Sequence, residues 1–195
     1  MNRFSGFHWK TFLAAPVVMA AILAALWLAV MAAHENVRFA RATDQVLGVI
    51  AIARNTATNP AATQESATAD LLERLSHFES MRVRPAENGT QRPSLINSWG
   101  RRMEVEMLPF SHQLRVQTSL SPAACRRMIL FYAKDAPPLG VQRVEVNDEG
   151  LLQTSGRMLY GGPDDIARSK LDLSAVNAGC GESEQVALIL TIRLQ

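Results

Sequence analysis

Between Phe12 and Ala33 the chain carries 22 consecutive residues without a charge, FLAAPVVMAAILAALWLAVMAA. As an α-helix this run is about 33 Å long at ~1.5 Å per residue, enough to cross a hydrocarbon core of ~30 Å. Arg3 and Lys10 precede it. Positive charge on the short N-terminal side predicts that end in the cytoplasm and the rest of the chain outside. Two other readings compete. Val30-Met31-Ala32 offers small residues where a signal peptidase can cut, although the run is long beside signal cores of ~7–15 residues. A buried core helix is the third reading, and so long an uncharged run is more than such a helix needs.

What remains is roughly 160 residues, enough for one domain with a real core. All 18 acidic residues and 18 of the 20 basic ones follow Ala33, so this part is formally neutral. A neutral domain has no bulk attraction for nucleic acid or acidic membranes, and no nucleic acid is expected as a partner. Arg101-Arg102 and Arg126-Arg127 read as solvated or internally paired. Cys125 and Cys180 are the two cysteines. An even count in a segment expected outside the cytoplasm predicts one disulfide, two free thiols being the alternative.

The apolar run passes into polar sequence without a breaker. Phe39, Thr43, Val46, Leu47, Ile50, Ala53 and Ala57 recur at three- and four-residue steps, the spacing of one helix face. Four segments are therefore expected: a tail or leader over 1–11, a transmembrane helix over 12–33, its amphipathic extension over 34–58, and a globular head over 59–195. Pro16 lies inside the helix and removes one backbone donor. Asn59-Pro60 ends it, and the small polar stretch up to Asp70 reads as a loop. Leu71, Leu72, Leu75 and Phe78 predict a second helix with Thr68 or Asp70 as its cap. Residues 82–94 read as a loop.

The period then changes. Met103–Met107 and Leu114–Thr118 alternate and predict an antiparallel hairpin around Pro109. Ser121-Pro122 reads as an N-cap with proline in the first turn, followed by a helix with Ala124, Cys125, Met128, Ile129 and Tyr132 on one face. Val141–Asn147 alternates again, residues 155–184 read as mostly irregular, and Val186–Leu194 is the strongest strand. The fold class is α+β: a long N-terminal helix, membrane-spanning in its first half, packed on an antiparallel sheet with a disulfide-closed C-terminal region.

No catalytic constellation emerges, and the chain is read as a non-enzyme without cofactor. His8, His34, His77 and His112 share no ligand spacing. Ser111-His112 has no nucleophile turn. Gly161-Gly162 has no phosphate-loop context. Glu104 and Glu106 share a strand face, which suits a carboxylate pair less well than a solvated surface. Trp99 reads as a core anchor, with ligand stacking the alternative, and Gly100 as a position needing an unusual backbone angle.

Four features together resemble the type IV pilin family, and within it the type IVb branch, which includes the pilins of thin conjugative pili. They are the apolar helix with an amphipathic second half, Ile96-Asn-Ser-Trp-Gly100, Ser121-Pro-Ala-Ala-Cys125, and Cys180 ahead of a final strand. Asn97, Trp99 and Gly100 match the Asn-x-Trp-Gly motif that opens the sheet in that branch. The resemblance implies a Cys125–Cys180 disulfide and cutting by a prepilin peptidase between Gly6 and Phe7. It implies other pilin-like subunits as homo- or hetero-oligomeric partners, and the inner membrane as the location, single-pass with a periplasmic head, or an extracellular filament after assembly. The function it implies is that of a structural subunit, major or minor, of a pilus-like filament or its assembly machinery, in adhesion, conjugation or secretion. The fifth residue from Phe7 is Thr11 where the family has Glu, and His8 and Lys10 stand where it has apolar or neutral residues. A membrane-tethered periplasmic scaffold or binding protein that does not polymerise is the alternative.

Overall fold

The computed structural model describes residues 9–56, 63–78, 81–84, 93–108, 111–134, 136–147, 156–161, 171–181 and 183–194. Helix α1 runs Trp9–Thr56 with Pro16 inside it. The chain divides into two compact units, Met1–Arg38 and Phe39–Gln195. In the first unit every residue from Pro16 to Val37 is exposed, Val17, Leu23, Trp27 and Leu28 among them. By length and composition α1 is able to cross a membrane there.

In the second unit, the head, the rest of α1 is amphipathic as its spacing predicts. Ala42, Thr43, Val46, Val49, Ile50 and Ala53 are buried, with Phe39 and Leu47 half-buried beside them. On this stripe the Thr43 hydroxyl donates to the carbonyl of Phe39 in the same helix at 3.0 Å. Ala57 and Asn59-Pro60 lie outside the described residues.

Helix α2 (Gln64–Ser76) starts earlier than the loop reading allows. Thr63 is its cap, its Oγ1 accepting from the Ser66 amide at 3.3 Å. Neither Thr68 nor Asp70 caps it. Within residues 64–70, Gln64, Glu65, Ala67 and Ala69 lose little side-chain freedom on becoming helical. Leu71, Leu72 and Leu75 are buried, whereas Phe78, assigned to the same face, is half exposed.

Among the described residues, seven strands form one antiparallel sheet: β1 (Arg82–Arg84), β2 (Ser94–Ile96), β3 (Arg102–Leu108), β4 (Gln113–Leu120), β5 (Val141–Asn147), β6 (Arg157–Tyr160) and β7 (Val186–Arg193), in the order β1-β2-β3-β4-β7-β5-β6. The β3–β4 hairpin has the expected alternation, with Met103, Val105 and Met107 inward. The last strand, β7, lies between β4 and β5 and is paired along both edges, and its residues from Val186 to Leu190 are all buried. Two loop readings are corrected. Arg82–Arg84 is a short edge strand, paired Val83 to Leu95. The region read as irregular contains β6 and the seven-residue helix α5 (Leu173–Gly179), both too short to show a period.

Between β4 and β5 lie α3 (Pro122–Lys134) and the single turn α4 (Ala136–Leu139). Ser121 caps α3: its Oγ accepts from the Ala124 amide at 3.4 Å and its carbonyl from Cys125 at 2.8 Å. The five residues expected on the inner face of α3 are its five buried ones. Gly140 turns the chain into β5 with φ +75°, and its carbonyl accepts from the Arg193 amide at 2.8 Å. A Cβ there would stand 2.7 Å from the Arg193 carbonyl oxygen, so glycine is required by contact as well as by angle.

Among the described residues, strand β2 pairs with β3 at Leu95–Met103 and Ile96–Arg102, and no strand lies beside the far end of β3 on that side. Helix α2 closes this gap. The Thr68 hydroxyl accepts from the Met107 amide at 3.0 Å and donates to the Gln64 carbonyl at 2.8 Å. Covering an open edge in this way prevents pairing with another chain. Thr68→Val keeps the shape and removes the acceptor from a buried amide. The expected loss of unfolding free energy is about 2 kcal/mol, read by urea titration.

Candidate functional site

Asn97, Trp99 and Gly100 form the turn between β2 and β3. The Gly100 amide donates to the Asn97 carbonyl at 2.9 Å, and the Asn97 amide to the Arg101 carbonyl at 2.8 Å. Gly100 has φ +74°, the left-handed residue that a three-residue hairpin loop needs. The Asn97 side chain is buried and fully used. Its Oδ1 accepts from the Trp99 amide at 3.0 Å and the Arg101 amide at 2.9 Å. Its Nδ2 donates to Thr118 Oγ1 and to the Ser119 carbonyl, each at 2.9 Å. One amide thus fixes the turn and joins it to β4, while Trp99 is half-buried against the core. The motif is a structural joint in which every polar group of Asn97 is engaged.

Cys125 and Cys180 are brought together as a disulfide with Cα atoms 5.8 Å apart, both fully buried. It links the first turn of α3 to the C-cap of α5, where the Cys180 amide donates to the Val176 carbonyl at 2.9 Å. Asp172 caps the other end of α5; accepting from the Ser174 hydroxyl and amide holds its carboxyl below the usual range.

The sheet face away from the core carries a lattice of charge. Directly paired residues point the same way, so Glu104, Gln117, Ile189 and Glu145 form one row and Glu106, Arg115, Thr191 and Arg143 the next. Glu104 meets Arg102 Nη2 at 2.9 Å, and Glu106 accepts from the Gln64 side chain. The two carboxylates are thus engaged separately rather than as an acid–base pair. Glu145 is buried with Arg143 Nη1 at 3.7 Å. Burial pushes its carboxyl above the ordinary range, and Arg143 and Arg115 oppose that shift.

Two features had no signal in the sequence. The Arg127 guanidinium sits 4.4 Å from the Phe39 ring centroid, and Phe131 meets Phe39 edge to face at 6.1 Å. The fully buried Tyr132 hydroxyl has no hydrogen-bond partner among the described residues; burial, and secondarily the charge of Asp44, push its pKa up. Among the described residues no group of three His, Cys, Asp or Glu side chains could hold a metal. Gly6 and Phe7, the expected processing point, lie outside the described residues.

Among the described residues, the arrangement offers an exposed apolar helix and a braced head. No protein family, curated protein or solved structure matches this chain. The established features are an α+β fold, one disulfide and one helix able to span a membrane.

Proposed function

We propose that the chain is a membrane-anchored structural subunit of a type IVb pilin-like filament, or of the machinery that assembles one, with its head outside the cytoplasm. The observation that carries this reading is the two-part character of α1. From Pro16 to Val37 its apolar side chains are all exposed, and from Ala42 onward one stripe is built into the core of the head. Such a helix needs an apolar cover. A bilayer supplies it before assembly, and the same segment of neighbouring subunits can supply it afterwards. The Asn97–Gly100 turn and the Cys125–Cys180 bridge add support through their order along the chain. Adhesion, conjugation and secretion are the roles such filaments serve.

The test is expression beside a prepilin peptidase, followed by N-terminal sequencing and shearing. The expected result is a chain that begins at Phe7 and appears in the sheared fraction. A chain that still begins at Met1 and is absent from that fraction overturns the filament reading.

A second reading is favoured by Lys10 and Thr11. A charge and a missing carboxylate near the start of the helix suit a protein that stays in the bilayer and scaffolds an envelope assembly. It predicts intact protein in the membrane fraction, co-purifying with other envelope components.

A further inference from the structure

We propose that β1 is a docking edge for an extended acidic segment of a partner protein, which adds to the sheet as a further strand. This rests on the fold of the head alone and holds whether or not the chain enters a filament.

Among the described residues β1 is the end strand on its side of the sheet: it pairs with β2, and no strand lies beyond it. An end strand presents unpaired amides and carbonyls along its outer side, a template for one more strand. The far end of β3 is closed by Thr68 of α2. On β1, by contrast, Arg82 and Arg84 are exposed. Val83 between them pairs with the fully buried Leu95 and is itself only half-buried against the core. An incoming strand therefore meets an apolar position on one face of the sheet and two cations on the other.

The two cations select the charge of that strand. Arg82 lies in one row with Ile96 and Arg102, and Arg84 shares its face. Arg102 is bridged to Glu104 at 2.9 Å, whereas Arg82 and Arg84 form no ion pair among the described residues. A second copy of β1 is the wrong occupant, since antiparallel pairing about Val83 sets arginine against arginine. The sheet already holds the complementary arrangement in its β3–β4 pair, where Val105 stands opposite Val116 and Glu106 opposite Arg115. The same chemistry at β1 asks for acidic, apolar and acidic residues at three successive positions of the incoming strand. Each opposite-charge pair across strands strengthens such pairing by up to about fivefold. The charges that keep copies of this edge apart thus admit an acidic strand.

The experiment uses the full chain in nonionic detergent and reads backbone hydrogen exchange with peptide in excess. The probe is Glu-Val-Glu between threonine pairs. Exchange at Arg82–Arg84 is expected to slow several-fold while β7 is unchanged, and Lys-Val-Lys in the same frame should have no effect. Arg82→Glu/Arg84→Glu should exchange the two preferences, a reversal that a damaged fold does not produce. Glu-Pro-Glu keeps the charge but lacks the central amide, so it should slow exchange much less. No slowing by Glu-Val-Glu overturns the proposal, as does equal slowing by Lys-Val-Lys or by Glu-Pro-Glu. A double variant that does not reverse the preference overturns it as well. Equal slowing by an oligothymidylate also overturns it, because the edge would then hold any extended anion rather than a strand.

Discussion

Cys125→Ala/Cys180→Ala is expected to cost the head about 4 kcal/mol. The bridge closes a loop with a sequence separation of 55, and opening it returns roughly that much conformational entropy to the unfolded chain. The native side argues the same way. Helix α5 has seven residues, too few to be stable alone. Its buried contacts are Val176 and Gly179, and Gly179 packs so closely that a Cβ there would stand 3.0 Å from Val146 and 3.3 Å from Leu159. Without the bridge, α5 has little to keep it against the sheet. With a urea m-value near 2 kcal/mol/M, the midpoint should fall by about 2 M. Reduced wild-type protein should fall with it, since alanine leaves only a small extra cavity at each site. A midpoint unchanged in both would mean that the bridge constrains nothing that the core does not already hold.

The sequence was informative wherever one period ran long enough. The buried stripe of α1, the β3–β4 hairpin and the five inner residues of α3 all follow from spacing, because each face is decided by contact with a single core. The start of α2 was misread because Thr63 and Thr68 offer the same cap chemistry; Thr68 is instead used to close the edge of β3. Strand β1 was missed because Arg-Val-Arg is polar and becomes a strand only through pairing with Leu95 and its neighbours. The cysteine pair followed from its even count. The Phe39–Arg127 contact did not, since it joins residues far apart that become neighbours only once α3 lies along α1. The burial of Glu145 likewise depends on register, which puts it beside Ile189 on the second face of the sheet.

Asn97→Ala should be the most damaging single change at the turn, at about 3 kcal/mol. Four side-chain hydrogen bonds are lost at one buried point, each worth ~1 kcal/mol net, and the Trp99 and Arg101 amides and the Ser119 carbonyl lose a partner. Gly100→Ala supplies the comparison. Nothing stands within 4 Å of a Cβ at that position, so its cost is the left-handed angle alone, ~1 kcal/mol. Asn97→Asp separates the two jobs of the amide. The carboxylate still accepts from Trp99 and Arg101 but faces the Ser119 carbonyl without a donor, so most of the loss should remain. Urea unfolding of the three variants checks the order, Asn97→Ala costing most and Gly100→Ala least. A Gly100→Ala cost above that of Asn97→Ala would mean that backbone angle, not the amide that joins the turn to β4, decides whether the hairpin forms.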